Sequence, residues 1–265
     1  MMRRFRLSAL AAAALLALGA GAWAQESSNQ PLPKIDWSFD GPLGSFDPAA
    51  LRRGFQVYNQ ICSACHSMNL LSYRDLEGPD GLGLSESEAA AIAAEKQVTD
   101  GPNDQGQMFQ RPARPADGFA APFPNDKAAR LANNGALPPD LSDIVKARAG
   151  GADYIHALLT GFRDPPSGFA LAAGQNYNLY FPGNQIAMPQ PLYENQMTYA
   201  DGTQATLDQE SQDVATFLAW ASDPNMEQRK RIGIRVILFL LVVTGLLYAV
   251  KRRIWSGLGK PDQDA

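Results

Sequence analysis

Cys62, Cys65 and His66, in the stretch ICSACHSMN, account for both cysteines of this 265-residue chain and one of its two histidines. Three chemistries use cysteines at this spacing: a thiol–disulfide redox pair, part of a zinc site, or covalent attachment of haem. A redox CxxC belongs on a thioredoxin-like βαβ frame, and no run of strands and helices of that kind is legible in this chain. Zinc needs four ligands, and the other histidine, His156, is far along the chain. C-x-x-C-H is the c-type haem signature: two thiols add to the two vinyl groups, and the adjacent histidine is placed beneath the iron. One motif means one haem, covalently bound, with no cysteine left over for a disulfide.

A second axial ligand must come from elsewhere. Met68 is too close to His66 to reach the opposite face of the ring, and Met226 abuts an apolar segment. Met108, Met188, Met197 and His156 remain. His156 lies in the helical pattern ADYIHALLTGF. Met188 lies in FPGNQIAMPQPLY, where prolines hold the chain extended, as suits a loop laid against a flat ligand. Spacing alone leaves these four open. Filling both axial positions would favour electron transfer over oxygen or peroxide chemistry, and a thioether ligand would raise the reduction potential. No paired carboxylates, nucleophile–base set or phosphate loop argues for an independent enzyme.

The elements that must carry these residues read as mostly helical. Asp47 and Pro48 start a helix running to about Cys62, with Asp as N-cap and Pro in first position. Ser85 and Glu88 form a capping box. Helical patterns follow over Asn125–Asn134, Leu141–Ala149 and Ala152–Thr160, the last two split by Gly150 and Gly151. Thr206–Ser222 is the clearest helix, with Val214, Phe217, Leu218 and Ala221 on one face. Strand signals are scarce. Pro- and Gly-rich stretches at 100–124 and 164–200 are long for a compact domain, and a large ligand supplying its own core would account for them.

Both chain ends stand apart from this domain. Residues 1–24 read as a signal peptide: Arg3, Arg4 and Arg6, an apolar run, then Ala22-Trp23-Ala24 as cleavage site. Ile232–Val250 is an apolar run broken only by Arg235, roughly 28 Å long as a helix and close to the ~30 Å hydrocarbon core. Basic residues flank it on both sides, so charge does not orient it, whereas the signal peptide does. The expected organisation is a signal peptide (1–24), an exported haem domain (25–224), a membrane anchor (225–255) and a cytoplasmic tail (256–265). Residues 25–224 hold 12 Lys and Arg against 24 Asp and Glu, a net charge of −12. Such a domain repels nucleic acid and attracts basic partners.

The sequence resembles the cytochrome c1 family, the haem subunits of ubiquinol–cytochrome c oxidoreductase (cytochrome bc1) complexes. The resemblance runs from WSFDGPLGSFD to KRRIWSGL, through QVYNQICSACHSMN, LANNGALPPDLS, YIHALLTGF, YFPGNQIAMPQPLY and DVATFLAWASDPNMEQRKRIG. It implies a mostly α c-type haem domain with long loop insertions and one C-terminal transmembrane helix. It makes Cys62 and Cys65 the thioether links, His66 the proximal ligand, Met188 the distal ligand and Arg130 a neighbour of the haem propionates. It implies cytochrome b and a Rieske iron–sulfur protein as fellow subunits, and cytochrome c as electron acceptor. It places the chain as a single-pass protein of a bacterial inner membrane, haem domain in the periplasm. Electron exit, not quinol chemistry, would be this subunit's part. Some bacterial members carry an extra cysteine pair that this chain lacks.

Overall fold

The computed structural model describes residues 30–256; the leader expected over 1–24 and nearly all of the expected tail lie outside them. In chain order the helices are α1 (Pro48–Gln60), α2 (Glu86–Ala94), α3 (Asp126–Ala132), α4 (Gly151–Thr160), α5 (Leu207–Ser222) and α6 (Met226–Trp255). Two small antiparallel hairpins interrupt them: β1 (Gln97–Asp100) with β2 (Phe109–Pro112), and β3 (Asn176–Tyr177) with β4 (Gln185–Ile186). The fold is mostly α with long loops, as the sequence leads one to expect. Both hairpins lie within or beside the long Pro- and Gly-rich stretches. Each has a strand of only two to four residues, too short for a period-two pattern to stand out.

The helix starts follow their caps. The Asp47 carboxylate accepts from Ala49 N at 2.9 Å, Ser85 and Glu88 bond reciprocally, and Asn125 Oδ1 accepts from Ala128 N at 3.0 Å. Leu141–Ala149 is not a helix. Its first backbone donors are drawn elsewhere: Leu141 N donates to Ser67 O at 2.9 Å, and Ser142 N to the Asp140 carboxylate at 2.9 Å. The segment becomes a series of turns, because tertiary bonds to the 67–70 region outcompete the intrahelical ladder.

The core forms where α1 and α4 pack on α5, which is buried along nearly its whole length. Phe55 and Tyr58 of α1 meet Phe217 of α5 with ring centroids 5.6 Å apart, and Phe217 stacks on Trp220 at the same separation. Gly54 makes this close crossing attainable: a Cβ there would lie 2.0 Å from the Asp213 carbonyl oxygen of α5. The helices are cross-tied by Arg53, whose guanidinium donates two bonds to the buried Asp213 carboxylate, at 2.8 and 2.9 Å.

α6 follows α5 after three residues and leaves the domain. It is long and apolar enough to cross a membrane, with none of its apolar window buried by the rest of the described chain. Its first turns are clamped to the domain. Arg229 pairs with Asp223, Arg231 Nη2 donates to Asp80 Oδ1 at 3.0 Å, and Glu227 Oε1 accepts from Phe46 N at 2.8 Å.

Candidate functional site

α1 stops at Gln60, and its C-cap residue, Ile61, leads into a 3₁₀ turn over Cys62–Ala64. Cys62 O accepts from both Cys65 N at 3.1 Å and His66 N at 2.9 Å. This turn, not the helix end the sequence led one to expect, brings the three motif residues together. Cys62 is half-buried and Cys65 exposed, and both thiols are free. Burial pushes the Cys62 thiol up to about 12, so it stands as a neutral thiol at physiological pH.

The His66 ring is fixed by a distant segment. Nδ1 lies 2.8 Å from the carbonyl oxygen of Pro139. A carbonyl only accepts, so Nδ1 carries the proton and the Nε2 lone pair is left for a metal. Burial lowers the His66 pKa against the opposing pull of the Pro139 carbonyl, and this keeps the imidazole neutral, the form that ligates metals.

Asp140 braces the chain after His66. Its carboxylate accepts from Ser67 Oγ and Asn69 N, both at 2.8 Å, and from Ser142 N at 2.9 Å. Leu70 N in turn donates to Ser142 Oγ at 3.0 Å. Burial pulls the Asp140 carboxyl upward, but its hydrogen bonds outweigh that pull and hold it below the usual carboxylate range. Sequence reasoning passed over Pro139, Asp140 and Ser142 as site residues. The available signal was the run Pro-Pro-Asp, which cannot sit comfortably in a helix interior and so needs another use.

Met188 lies two residues past the end of β4, on a strip pinned at both ends by the buried side chains of Ile186 and Leu192. Its carbonyl accepts from Asn176 Nδ2 at 3.2 Å, across the β3–β4 hairpin. Its side chain is half-buried and packs, as Cys62 does, against the one large hydrophobic cluster. The rival candidates sit differently. Met108 is 60% exposed beside β2, and Met197 packs against the core further along the chain. His156 is buried in α4 with Nε2 bonded to Asp208 Oδ1 at 2.8 Å. Arg130, on α3, is exposed, and its Nη1 donates to Gly135 O at 3.1 Å.

Among the described residues, no group of three or more His, Cys, Asp and Glu side chains could hold a metal ion, so zinc finds no ligand set here. The residues do fit a c-type haem: two free thiols on one turn, an adjacent imidazole presenting Nε2, and a half-buried thioether on a non-helical strip.

A model of the cytochrome C1 family matches residues 37–258. The chain belongs to the cytochrome c1 family. The "Cytochrome c1" of Rhodospirillum rubrum is 45% identical over 262 residues, covering 93% of this chain and 95% of that protein. In Arabidopsis thaliana, "Cytochrome c1 1, heme protein, mitochondrial" is 52% identical over 227 residues, or 85% of this chain and 73% of that protein. The "Cytochrome b/c1" of Bradyrhizobium diazoefficiens is 46% identical over 269 residues, 94% of this chain and 39% of that longer protein. As a cytochrome c1, the chain is an electron-transport protein, and α6 is its transmembrane helix.

Proposed function

We propose that this cytochrome c1 carries one covalently bound haem c and passes electrons from a Rieske iron–sulfur protein to a cytochrome c. It does so as a subunit, beside cytochrome b, of a quinol–cytochrome c oxidoreductase. The observation that carries this reading is the pairing of the Cys62–Cys65–His66 turn with the Pro139 carbonyl, which leaves Nε2 of a neutral His66 free. A bound haem would supply a one-electron ferric–ferrous couple.

The chain's own residues do the rest. Cys62 and Cys65 would each add S–H across one vinyl group, which consumes no oxidant and leaves two thioether links. His66 would donate its Nε2 lone pair as proximal ligand while Nδ1–H stays on Pro139 O, a second-shell bond that fixes the ring's rotation and raises its basicity. Met188 would supply the distal thioether. Its soft sulfur favours ferrous iron and so a higher potential. Arg130, beside Gly135, would face a propionate. Held by both His66 and Met188, a bound haem would exchange electrons rather than take up a small molecule.

The bc1 setting is supported by the name of the Bradyrhizobium relative, "Cytochrome b/c1". Residues 1–24 read as an export signal, which would put the haem domain in the periplasm and α6 across a bacterial inner membrane, with the tail in the cytoplasm. The test is an alkaline pyridine spectrum of the purified chain. It should report haem joined through two thioethers, and Cys65→Ser should shift the band to that of a single link. Haem extractable by acidified organic solvent from the unmodified chain would overturn the reading.

A further inference from the structure

Residues 38–45 form a small loop closed by Ser45 N donating to Ser38 O at 3.0 Å. Its base is aromatic: the Phe39 ring lies 5.5 Å from Trp37 and 5.0 Å from Phe46. Its tip, Gly41-Pro42-Leu43, carries no charge and is exposed, with Leu43 83% accessible. Outside α6, Leu70 and Leu131 are comparably exposed, but Leu70 lies four residues after His66 and Leu131 next to Arg130, while Met108 and Phe109 sit on the β1–β2 hairpin. Leu43 belongs to a different place in the fold.

That place is the foot of α6. Lys230 Nζ donates to Phe39 O at 2.7 Å and Gly44 O at 3.0 Å, the two shoulders of the loop. Glu227, one turn earlier, accepts from Phe46 N. Lys230 precedes the apolar run by two residues, about 3 Å of helix rise. The polar layer of a bilayer is roughly 5–8 Å deep on each side. The loop's shoulders are therefore held at the depth of the lipid headgroups, and a tip two residues further out reaches up to about 7 Å from them.

We propose that the Pro42–Leu43 tip inserts into the bilayer interface, making a second contact with lipid beside the transmembrane helix. The occupant is phospholipid: the tip offers apolar surface without charge or a hydrogen-bonding side chain, and it is fixed to the helix at the point where that helix enters the hydrocarbon. Trp37 and Phe39, half-buried and stacked, hold the base of the loop rigid, with the Trp37 indole N–H donated to Asp153 Oδ1 at 2.8 Å. Two points of attachment would fix the tilt of the domain over the membrane, which a single helix leaves free to rotate about its axis.

The inference rests on α6 crossing the bilayer, and the test separates the two. Leu43→Cys and, as reference, Leu241→Cys are made in the full chain, assembled in its membrane complex, labelled with bimane and reconstituted in vesicles. Nitroxide lipids carry the quencher either near the headgroup or near the chain end, and iodide serves as the aqueous quencher. Bimane at position 43 should lose emission to the headgroup-proximal nitroxide more than to the chain-end nitroxide, and little to iodide. Position 241 should show the reverse preference between the two lipids. Quenching at 43 by iodide but by neither lipid overturns the proposal, and so does quenching by none of the three, which would mean that another subunit covers the tip. If position 241 is also quenched by iodide and by neither lipid, the transmembrane reading itself has failed.

Discussion

His66 Nδ1 and the Pro139 carbonyl oxygen lie 2.8 Å apart although 73 residues separate them in sequence. Asp140, the next residue, supports the contact by tying its own segment back to Ser67 and Asn69. Replacing Pro139 would leave its carbonyl in place, so the informative variant is Asp140→Ala. Removing that carboxylate strands three donors, at roughly 1–3 kcal/mol for each that stays buried and unpaired. The expected result is a loss of roughly 3 kcal/mol in urea unfolding together with a broadened or shifted Soret band. Unchanged stability and an unchanged spectrum would show that the brace is dispensable.

Met188 is the proposed distal ligand. Met188→Leu keeps the volume and removes the sulfur. The midpoint potential should fall by a sizeable share of the ~0.8 V range that axial ligands command, and the ferrous protein should then bind carbon monoxide. Met108→Leu and Met197→Leu should do neither. If Met197→Leu alone reproduces the effect, the assignment moves to Met197.

Gly54 faces the α5 backbone at a distance that admits no side chain. Gly54→Ala would gain up to about 1 kcal/mol of helix propensity in α1. The clash with Asp213 O should outweigh that gain, for a net loss of roughly 2 kcal/mol. At ~2–4 °C per kcal/mol for a domain of this size, thermal unfolding should drop by roughly 6 °C. A rise in the unfolding temperature would mean that the α1–α5 crossing is looser than described.

Glu210 on α5 is fully buried, and among the described residues neither of its oxygens has a hydrogen-bond partner. Burial first, then the charges of Glu194 and Asp213, raises the Glu210 pKa from 4.5 to about 7. A raised carboxyl binds its proton more tightly in the folded chain than in the unfolded one. Stability therefore falls as pH rises from about 4.5 to about 7, then levels off as far as this group is concerned. Glu210→Gln should flatten that part of the stability–pH curve and leave the domain more stable than the parent at pH 8. A curve of unchanged slope would show that Glu210 ionises freely.

The acidity of the domain predicts a salt effect, but the structure narrows which acids can cause it. Asp80 is engaged by Arg231 at the foot of α6, Asp201 by Arg53, and Asp208 by His156. Glu86, Glu95, Asp104 and Asp126 are exposed and free of ion pairs among the described residues. Electron transfer to a small basic cytochrome c should slow by roughly tenfold or more as screening grows past a Debye length of ~10 Å at 0.1 M salt. Charge reversal of these four acids together should flatten that dependence more than reversal of Asp80. A flat profile in the unmodified chain would favour a tethered acceptor.

Local chemistry alone determined much of this protein. The C-x-x-C-H spacing, the caps at Asp47 and Ser85, the amphipathic face of Thr206–Ser222 and the apolar run from Ile232 are all written within a few neighbouring residues. Each declares itself because its cause, a covalent spacing or a helical period, is short-ranged. Tertiary structure decided what depended on partners distant in sequence. Leu141–Ala149 has a helical pattern, yet Leu141 N goes to Ser67 O and Ser142 N to the Asp140 carboxylate, and the helix is lost. Which nitrogen of His66 is free depends on a carbonyl in that same segment, and the role of Gly54 depends on the backbone of α5. The loop at Leu43 reads in sequence as an ordinary Gly-Pro turn. Only the bonds from Lys230 tie it to the foot of α6.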